Sequence, residues 1–349
     1  MQHSLEALID NALARHVPGR VVWVALSGGL DSSLLLSVAA PLARKAGVEL
    51  RAIHVNHGLQ AAAGGFETTC RELCDSLAVP LTVASVRVDA AGQGIEAAAR
   101  EARYQAFATH LSPGDRLWLA QHADDQVETF LLAALRGSGV RGLAGMPYRR
   151  EWRGIRIERP WLSLARSVLM AEAQRRGLEW FEDPTNTDLA FDRNYLRHRV
   201  VPPLRERWPG VAGAFGQSAE WLQEADELLA ELAAIDLELF THISNGKATA
   251  DEIGAVLGID AEKIDRLLTA CKSMDMIRKI DGRHENFSDA QRYLVKGTRT
   301  YFGDYLTYIA RRDYSAWEFI TDHLTAKPDN NDDDERTYLS LMQDPEEAR

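Results

Sequence analysis

The chain of 349 residues is long enough for two domains, with 46% hydrophobic residues to fill their cores and 26% charged residues to hold them in solution. Forty basic against 51 acidic side chains leave a net charge of −11, which excludes nucleic-acid binding by overall positive charge and leaves only a local basic face for it. Three cysteines exclude a disulfide framework, no apolar run is long enough to span a membrane, and Glu6 and Asp10 interrupt any secretory signal, so a cytoplasmic protein with no membrane contact is expected.

In chain order, Val21–Leu26 reads as a buried strand running into Ser27-Gly28-Gly29, and Ser33–Lys45 as a helix stopped by Gly47. Leu50–Val55, Leu81–Val88 and Arg116–Gln121 read as further strands. Phe66–Leu77, Ile95–Leu111 and Asp124–Leu135 read as the helices between and after them. This alternation predicts βαβ units, hence an α/β fold with a parallel sheet covered on both faces and ligands beyond the carboxyl ends of its strands. From Arg141 to Gly210 the texture changes: fourteen Arg, no Lys and nine acidic side chains leave a surplus of five positive charges, interleaved with aromatics from Trp152 to Trp208. Phe215–Leu239 reads as one amphipathic helix. Thr249–Leu257, Asp260–Met274 and Met276–Phe287 read as helix, helix and a two-stranded hairpin with Asp281-Gly282 at its tip. Pro328–Glu335 has no apolar residue and is expected to be disordered. The predicted organisation is a nucleotide-binding domain over 1–210, a connecting helix over 211–240, a mostly helical domain over 241–327 and an acidic tail over 328–349.

Ser27-Gly28-Gly29-Leu30-Asp31-Ser32 joins a strand to a helix. Its glycines let the backbone approach a ligand, its two hydroxyls can donate, and the helix start offers unpaired N–H groups, which together suit pyrophosphate. Asp31 fits an anion site only through a cation, and Mg²⁺ shared with phosphate oxygens is the natural one. The plain alternative is a strand–helix turn with Ser or Asp as its cap.

This hexapeptide resembles the signature of the PP-loop ATP pyrophosphatase superfamily and lacks the Gly-Lys-Ser/Thr of P-loop NTPases. The resemblance implies that ATP is cleaved between its α- and β-phosphates and that AMP is transferred to a substrate oxygen. Four further segments follow in order: His54-Val-Asn-His57-Gly-Leu59; Glu96-x-x-x-Arg100-x-x-Arg103-Tyr104; His122-x-Asp124-Asp125-Gln126-x-Glu128-Thr129 leading to Arg136-Gly-Ser-Gly139; and Glu182-Asp183-Pro184-Thr185-Asn186 leading to Arg193-Asn194-x-x-Arg197. The ordered set, over roughly residues 15–235, resembles the tRNA(Ile)-lysidine synthase family.

That likeness implies ATP and Mg²⁺ as cofactors, with tRNA(Ile) and free L-lysine as partners. It implies ATP contacts from Ser27, Gly28, Gly29, Leu30, Asp31, Ser32 and His54. It implies lysine contacts from Asp125, Glu128 and Arg103, and tRNA contacts from Arg193, Asn194 and Arg197. Asp31, Asp125 and Glu128 are the expected catalytic set. Each segment also has a bland reading: His54 and His57 as a capped strand end, Asp125 and Glu128 as dipole-favoured acids of a first helical turn, and Arg100 and Arg103 as a solvated face. A different PP-loop nucleoside ligase or thiolase is the rival enzyme reading, although Cys70 and Cys74, four positions apart, do not form a Cys-x-x-Cys pair.

Residues after about 236 do not resemble the carboxyl domains expected of that family. Glu238-Leu-Phe240, Ala248–Ile253, Asp265–Leu268, Asp281-Gly-Arg283 and Tyr338–Met342 resemble the winged-helix dimerisation domain of S-adenosylmethionine-dependent O-methyltransferases. That likeness implies a homodimer through this region. No Gly-rich cofactor loop follows, so methyl transfer is not expected, and a chimeric dimerising protein without catalysis is the third reading.

Overall fold

A computed structural model describes residues 4–57, 63–87 and 95–308, and they divide into two compact units, Met1–Leu229 and Ala230–Arg349, with the division inside one long helix. Gly58 and Leu59, the side chain of Glu96, Tyr338–Met342 and the acidic stretch 328–349 lie outside the described residues.

The first unit runs α1 (Leu5–Leu13), β1 (Val22–Ala25), α2 (Leu30–Ala46), β2 (Leu50–Asn56), α3 (Ala63–Leu77), β3 (Leu81–Ser85), α4 (Ile95–His110), β4 (Arg116–Trp118) and α5 (Ala123–Leu135). It continues with α6 (Val140–Leu143), β5 (Arg149–Trp152), β6 (Ile155–Glu158), α7 (Arg166–Arg175), α8 (Asp192–Tyr195), α9 (Val201–Arg207) and α10 (Val211–Asp236). The sheet order is β3-β2-β1-β4-β6-β5, parallel except for β5. The expected parallel α/β sheet is therefore present, and the β5–β6 hairpin was not foreseen.

Pleating sorts the core. Val22 and Val24 pack among α1, α2 and α7, whereas Trp23 between them packs with Ile53, Tyr104 and Phe107 on the opposite face. Connections leave β1 toward β2 on one side, and β4 lies on the other. The carboxyl ends of β1 and β4 therefore flank the switch point where a crevice must open. A buried ion pair between Arg116 and Glu158 ties β4 to β6, with Trp118 Nε1 donating to Glu158 at 2.9 Å and Arg116 to the Ala12 carbonyl at 2.9 Å.

In the second unit α11 (Leu239–Ser244), α12 (Ala250–Leu257) and α13 (Ala261–Ser273) precede the hairpin β7 (Ile277–Ile280) and β8 (Arg283–Asn286), then α14 (Ser288–Tyr293). Thr249 and Glu252 cap α12 reciprocally. Asp281 and Gly282 both have positive φ, 49° and 82°, as a two-residue hairpin turn of matching twist requires. Phe240, Ile253, Ile264, Leu268 and Cys271 form its core. Among the described residues no helix is long and apolar enough to cross a membrane.

Candidate active site

The loop after β1 is held by its own serines. Ser27 N donates to Ser32 Oγ at 3.0 Å, the two hydroxyls are 2.9 Å apart, and Gly29 N reaches Ser27 Oγ at 3.3 Å. Helix α2 starts at Leu30, three residues earlier than its periodicity predicts, because Gly29 takes the extended N-cap conformation. No side chain caps this start, so its first N–H groups are free to meet an anion. Gly28 has φ +87°, and a Cβ there would stand 3.1 Å from Phe66 O and 3.3 Å from Cys70 Sγ, so this glycine is required on both counts. Its carbonyl accepts from Phe181 N at 3.0 Å, and Phe181 packs on Phe66 with ring centroids 4.5 Å apart.

Asp31 lies in the first turn of α2. Its Oδ1 is buried without a partner, and its Oδ2 is 3.7 Å from His122 Nε2 and 3.9 Å from Arg166 Nε. An orphaned carboxylate oxygen beside free helix N–H groups fits a cation shared with phosphate. His122 ends the β4 loop and caps α5: Asp125 N donates to its Nδ1 at 3.4 Å, and its own N–H reaches Asp125 Oδ2 at 3.1 Å. With Nδ1 accepting, the Nε2 proton faces Asp31 and Asp125. Burial disfavours the imidazolium, yet hydrogen bonding to Asp31 and the charges of Asp125, Asp31 and Asp124 outweigh it and raise the pKa.

Three carboxylates follow on α5. Burial works against the Asp124 anion, but the Arg166 N–H at 2.8 Å and an ion pair with Arg205 hold it below the usual carboxylate range. Glu128 is 1% exposed and receives Arg193 Nε at 2.7 Å, Arg197 Nε at 2.7 Å and Arg197 Nη2 at 3.0 Å. Arg197 also reaches Asp125 at 3.4 Å. Asn194 donates to the carbonyls of Thr185 and Asp188 at 2.8 and 2.9 Å, which fastens α8 to the preceding turn. The arginines and asparagine expected at an RNA surface thus spend their polar atoms inside this structure, on the carboxylates expected to hold lysine and on nearby backbone. Tyr195 and Trp208, on the same stretch of chain, are more than half exposed.

A cavity of about 610 Å³ opens at the switch point. Ser27, Asp31, Ser32 and His54 line it, and Arg103 and Gln121 line it further along. Gly28, Gly29, Leu30, Asp125, Glu128, Arg193, Asn194 and Arg197 are not among its lining residues. His54 donates Nδ1–H to the Leu26 carbonyl at 2.9 Å. His57 lies beside it, its pKa lowered by burial and by the charges of Arg103 and His54. Cys70 and Cys74 are buried behind the loop, and burial pushes both thiols up to about 12. Sequence reasoning passed over Gln121, Phe181, Arg166 and Arg205 as site residues. No local spacing marks them, since each acts through a partner distant in sequence.

A family model described as a PP-loop domain matches residues 1–204. The chain is 52% identical over 234 residues to the tRNA(Ile)-lysidine synthase of Pseudomonas aeruginosa, covering 67% of this chain and 53% of that protein. It is 46% identical over 245 residues to the tRNA(Ile)-lysidine synthase of Escherichia coli O157:H7, covering 70% and 56%. The chain therefore spans about half the length of these curated relatives. Among solved structures, the U34-tRNA thiolase NcsA from Methanococcus maripaludis with its [4Fe-4S] cluster shares the fold at TM-score 0.52 and 14% identity, over 62% of this chain and 77% of that one.

Proposed function

Because the chain belongs to the PP-loop family, we propose that it is an ATP-dependent ligase that adenylates O2 of the wobble cytidine of tRNA(Ile) and joins L-lysine to it. The observation that carries this reading is the meeting of the phosphate loop and the α5 carboxylates: Asp31 and Asp125 approach the same His122 ring at 3.7 and 3.5 Å. A pyrophosphate-releasing site and an ammonium-holding site thereby share one imidazole. The 52% identity to a tRNA(Ile)-lysidine synthase over 234 residues supports the substrate assignment.

The N–H groups at the start of α2 and the Ser27 and Ser32 hydroxyls hold the ATP phosphates. Asp31 would hold Mg²⁺ through its unpartnered oxygen, and the bound ion would neutralise the departing pyrophosphate. The cytidine oxygen attacks the α-phosphorus, the bond to the β-phosphate oxygen breaks, and pyrophosphate leaves. The ε-amine of lysine then attacks C2 of the adenylated base, and AMP leaves with the bonding pair. The amine must lose a proton before it can attack, since its pKa in water is about 10.4. Asp125, with Glu128 behind it, orients the amine and accepts that proton. Arg103 meets the lysine carboxylate from the cavity wall. Arg193 and Arg197 hold Glu128 in place at the rim where the tRNA enters, with Asn194 fixing their helix. The second unit supplies a dimer contact, which light scattering tests: a strict monomer at high concentration refutes it.

Lysine incorporation into tRNA(Ile), measured with ATP–pyrophosphate exchange, tests the reading. Asp31→Asn should abolish both, and full activity in that variant would refute it. Incorporation of labelled sulfur in place of lysine would identify the thiolase alternative.

A further inference from the structure

Arg159, at the end of β6, is 1% exposed, and among the described residues it has no carboxylate within ion-pairing distance. Its Nη1 donates to the Pro147 carbonyl at 2.7 Å and its Nε to Gln121 Oε1 at 2.5 Å. Burial, with the nearby Arg150 and Arg100, pulls its pKa down to about 10, so it is still a cation at neutral pH. A guanidinium has donors and no acceptor. The Gln121 amide can therefore face Arg159 only through its oxygen, and the flipped amide would set two donors against each other at 2.5 Å.

Fixing the oxygen fixes the nitrogen. Gln121 lines the cavity, and among the described residues nothing accepts a hydrogen bond from its Nε2. Tyr104, Phe107, Leu119 and Ala120 line the same cavity, with Arg100 and Arg103 as its cations, while the phosphate-binding groups lie at Ser27–Ser32. A neutral donor in a cavity that aromatic and aliphatic side chains help to line suits the edge of a nucleobase better than a phosphate, which the arginines and the loop already serve.

We propose that Gln121 is a specificity-determining residue whose amide, locked by Arg159, offers only N–H donors to the cavity and selects a nucleobase edge that presents an acceptor, such as a pyrimidine carbonyl or a purine ring nitrogen. This rests on the proposed function for the presence of a base in the cavity. Two sources share this chemistry: the adenine of ATP and the cytosine of the RNA.

The decisive variant is Gln121→Glu. It keeps the oxygen toward Arg159 and gains an ion pair there, while it presents an acceptor to the cavity. Its thermal midpoint should equal or exceed that of the unaltered protein, yet binding of the selected base should weaken about tenfold or more, because an unpaired or repelled acceptor is costly in a closed site. Gln121→Met, which removes the donor at similar size, should lose affinity in the same arm. The arms are ATP, titrated alone and as KM in pyrophosphate exchange, and a cytidine-containing anticodon stem–loop RNA, titrated separately. Loss confined to ATP assigns the adenine, and loss confined to RNA assigns the cytosine. If both variants bind both probes as the unaltered protein does, the proposal is overturned. If the unaltered protein binds neither probe, the proposal falls together with the functional reading, and the two failures are distinguished by which protein fails.

Discussion

Gly28→Ala probes the phosphate loop at its tightest point. The backbone there sits at φ +87°, where a side chain with Cβ costs about 1–2 kcal/mol. The new methyl would also press on Phe66 O at 3.1 Å and on Cys70 Sγ and Phe66 Cδ1 at 3.3 Å, contacts in which a backbone oxygen gives little. Overpacking of this kind costs about 1–3 kcal/mol, and alanine returns up to about 1 kcal/mol by stiffening the unfolded chain. The net destabilisation is about 1–5 kcal/mol, and its central value of about 3 kcal/mol corresponds to a fall of about 6–12 °C in the melting midpoint of a unit this size. ATP binding should weaken in parallel, since the loop N–H groups lose their alignment. Adding Cys70→Ala should relieve the Sγ contact and leave the Phe66 contacts and the φ part, giving a coupling energy of up to about 1 kcal/mol in a double-mutant cycle with the single Cys70→Ala variant. Gly64→Ala is the control: a Cβ there meets nothing within 4 Å, and in a helix it should be neutral or slightly stabilising. Calorimetry and ATP titration of these five proteins decide the matter. A Gly28→Ala protein with unchanged midpoint and ATP affinity refutes the reasoning.

Glu128→Gln leaves Arg193 and Arg197 without their buried carboxylate. A loss of up to about 3 kcal/mol in urea unfolding is expected, held below the fully buried range because the arginine ends keep some contact with water, together with loss of lysine incorporation; a protein as stable and active as the original would count against both. Glu158→Ala strands the buried Arg116 charge and should cost about 3–5 kcal/mol. The double variant R116M/E158L should cost less, so a single variant more stable than the double would be inconsistent with the ion-pair account. In the second unit, His284 has its Nδ1–H on the Ala248 carbonyl at 2.9 Å and its Nε2 buried without a partner. Burial lowers its pKa below the ordinary 6.5, helped by Lys279 and Lys272, so its contribution to stability is complete above pH 6.5 and is lost as pH falls through the depressed value. Hydrogen exchange at β8 should accelerate below that window, and His284→Gln should remove the dependence.

Much of the first unit was legible because its signals are local. β1 is a short apolar run, and Gly47 stops α2 in the left-handed conformation at φ 68°. The hairpin tip Asp281-Gly282 likewise carries its own geometry. The β5–β6 hairpin carried a comparable turn signal in Arg153-Gly154, with φ 50° and 77°, but its strands are four residues each and five of their eight residues are arginine or glutamate, so their alternation was masked by charge. The site was legible as a set of segments, because phosphate-loop chemistry needs contiguous residues. Its wiring was not. Arg193 and Arg197 read as free cations by composition, and nothing in their spacing reports that Glu128, more than sixty positions earlier, faces them. Gln121 precedes a conspicuous His-x-Asp-Asp run and was overshadowed by it, since its meaning comes from the buried Arg159.

The hydrogen bond from Phe181 to the Gly28 carbonyl, reinforced by the Phe66–Phe181 stack, has a consequence for modularity. The nucleotide motif occupies six consecutive residues, yet one of its carbonyls is fastened by a residue some 150 positions downstream. A piece of this chain cut before Phe181 would carry every letter of the motif and lack the clasp that shapes it. Grafting the hexapeptide onto another strand–helix junction would meet the same deficit. The transferable unit is the loop together with its distant fastener.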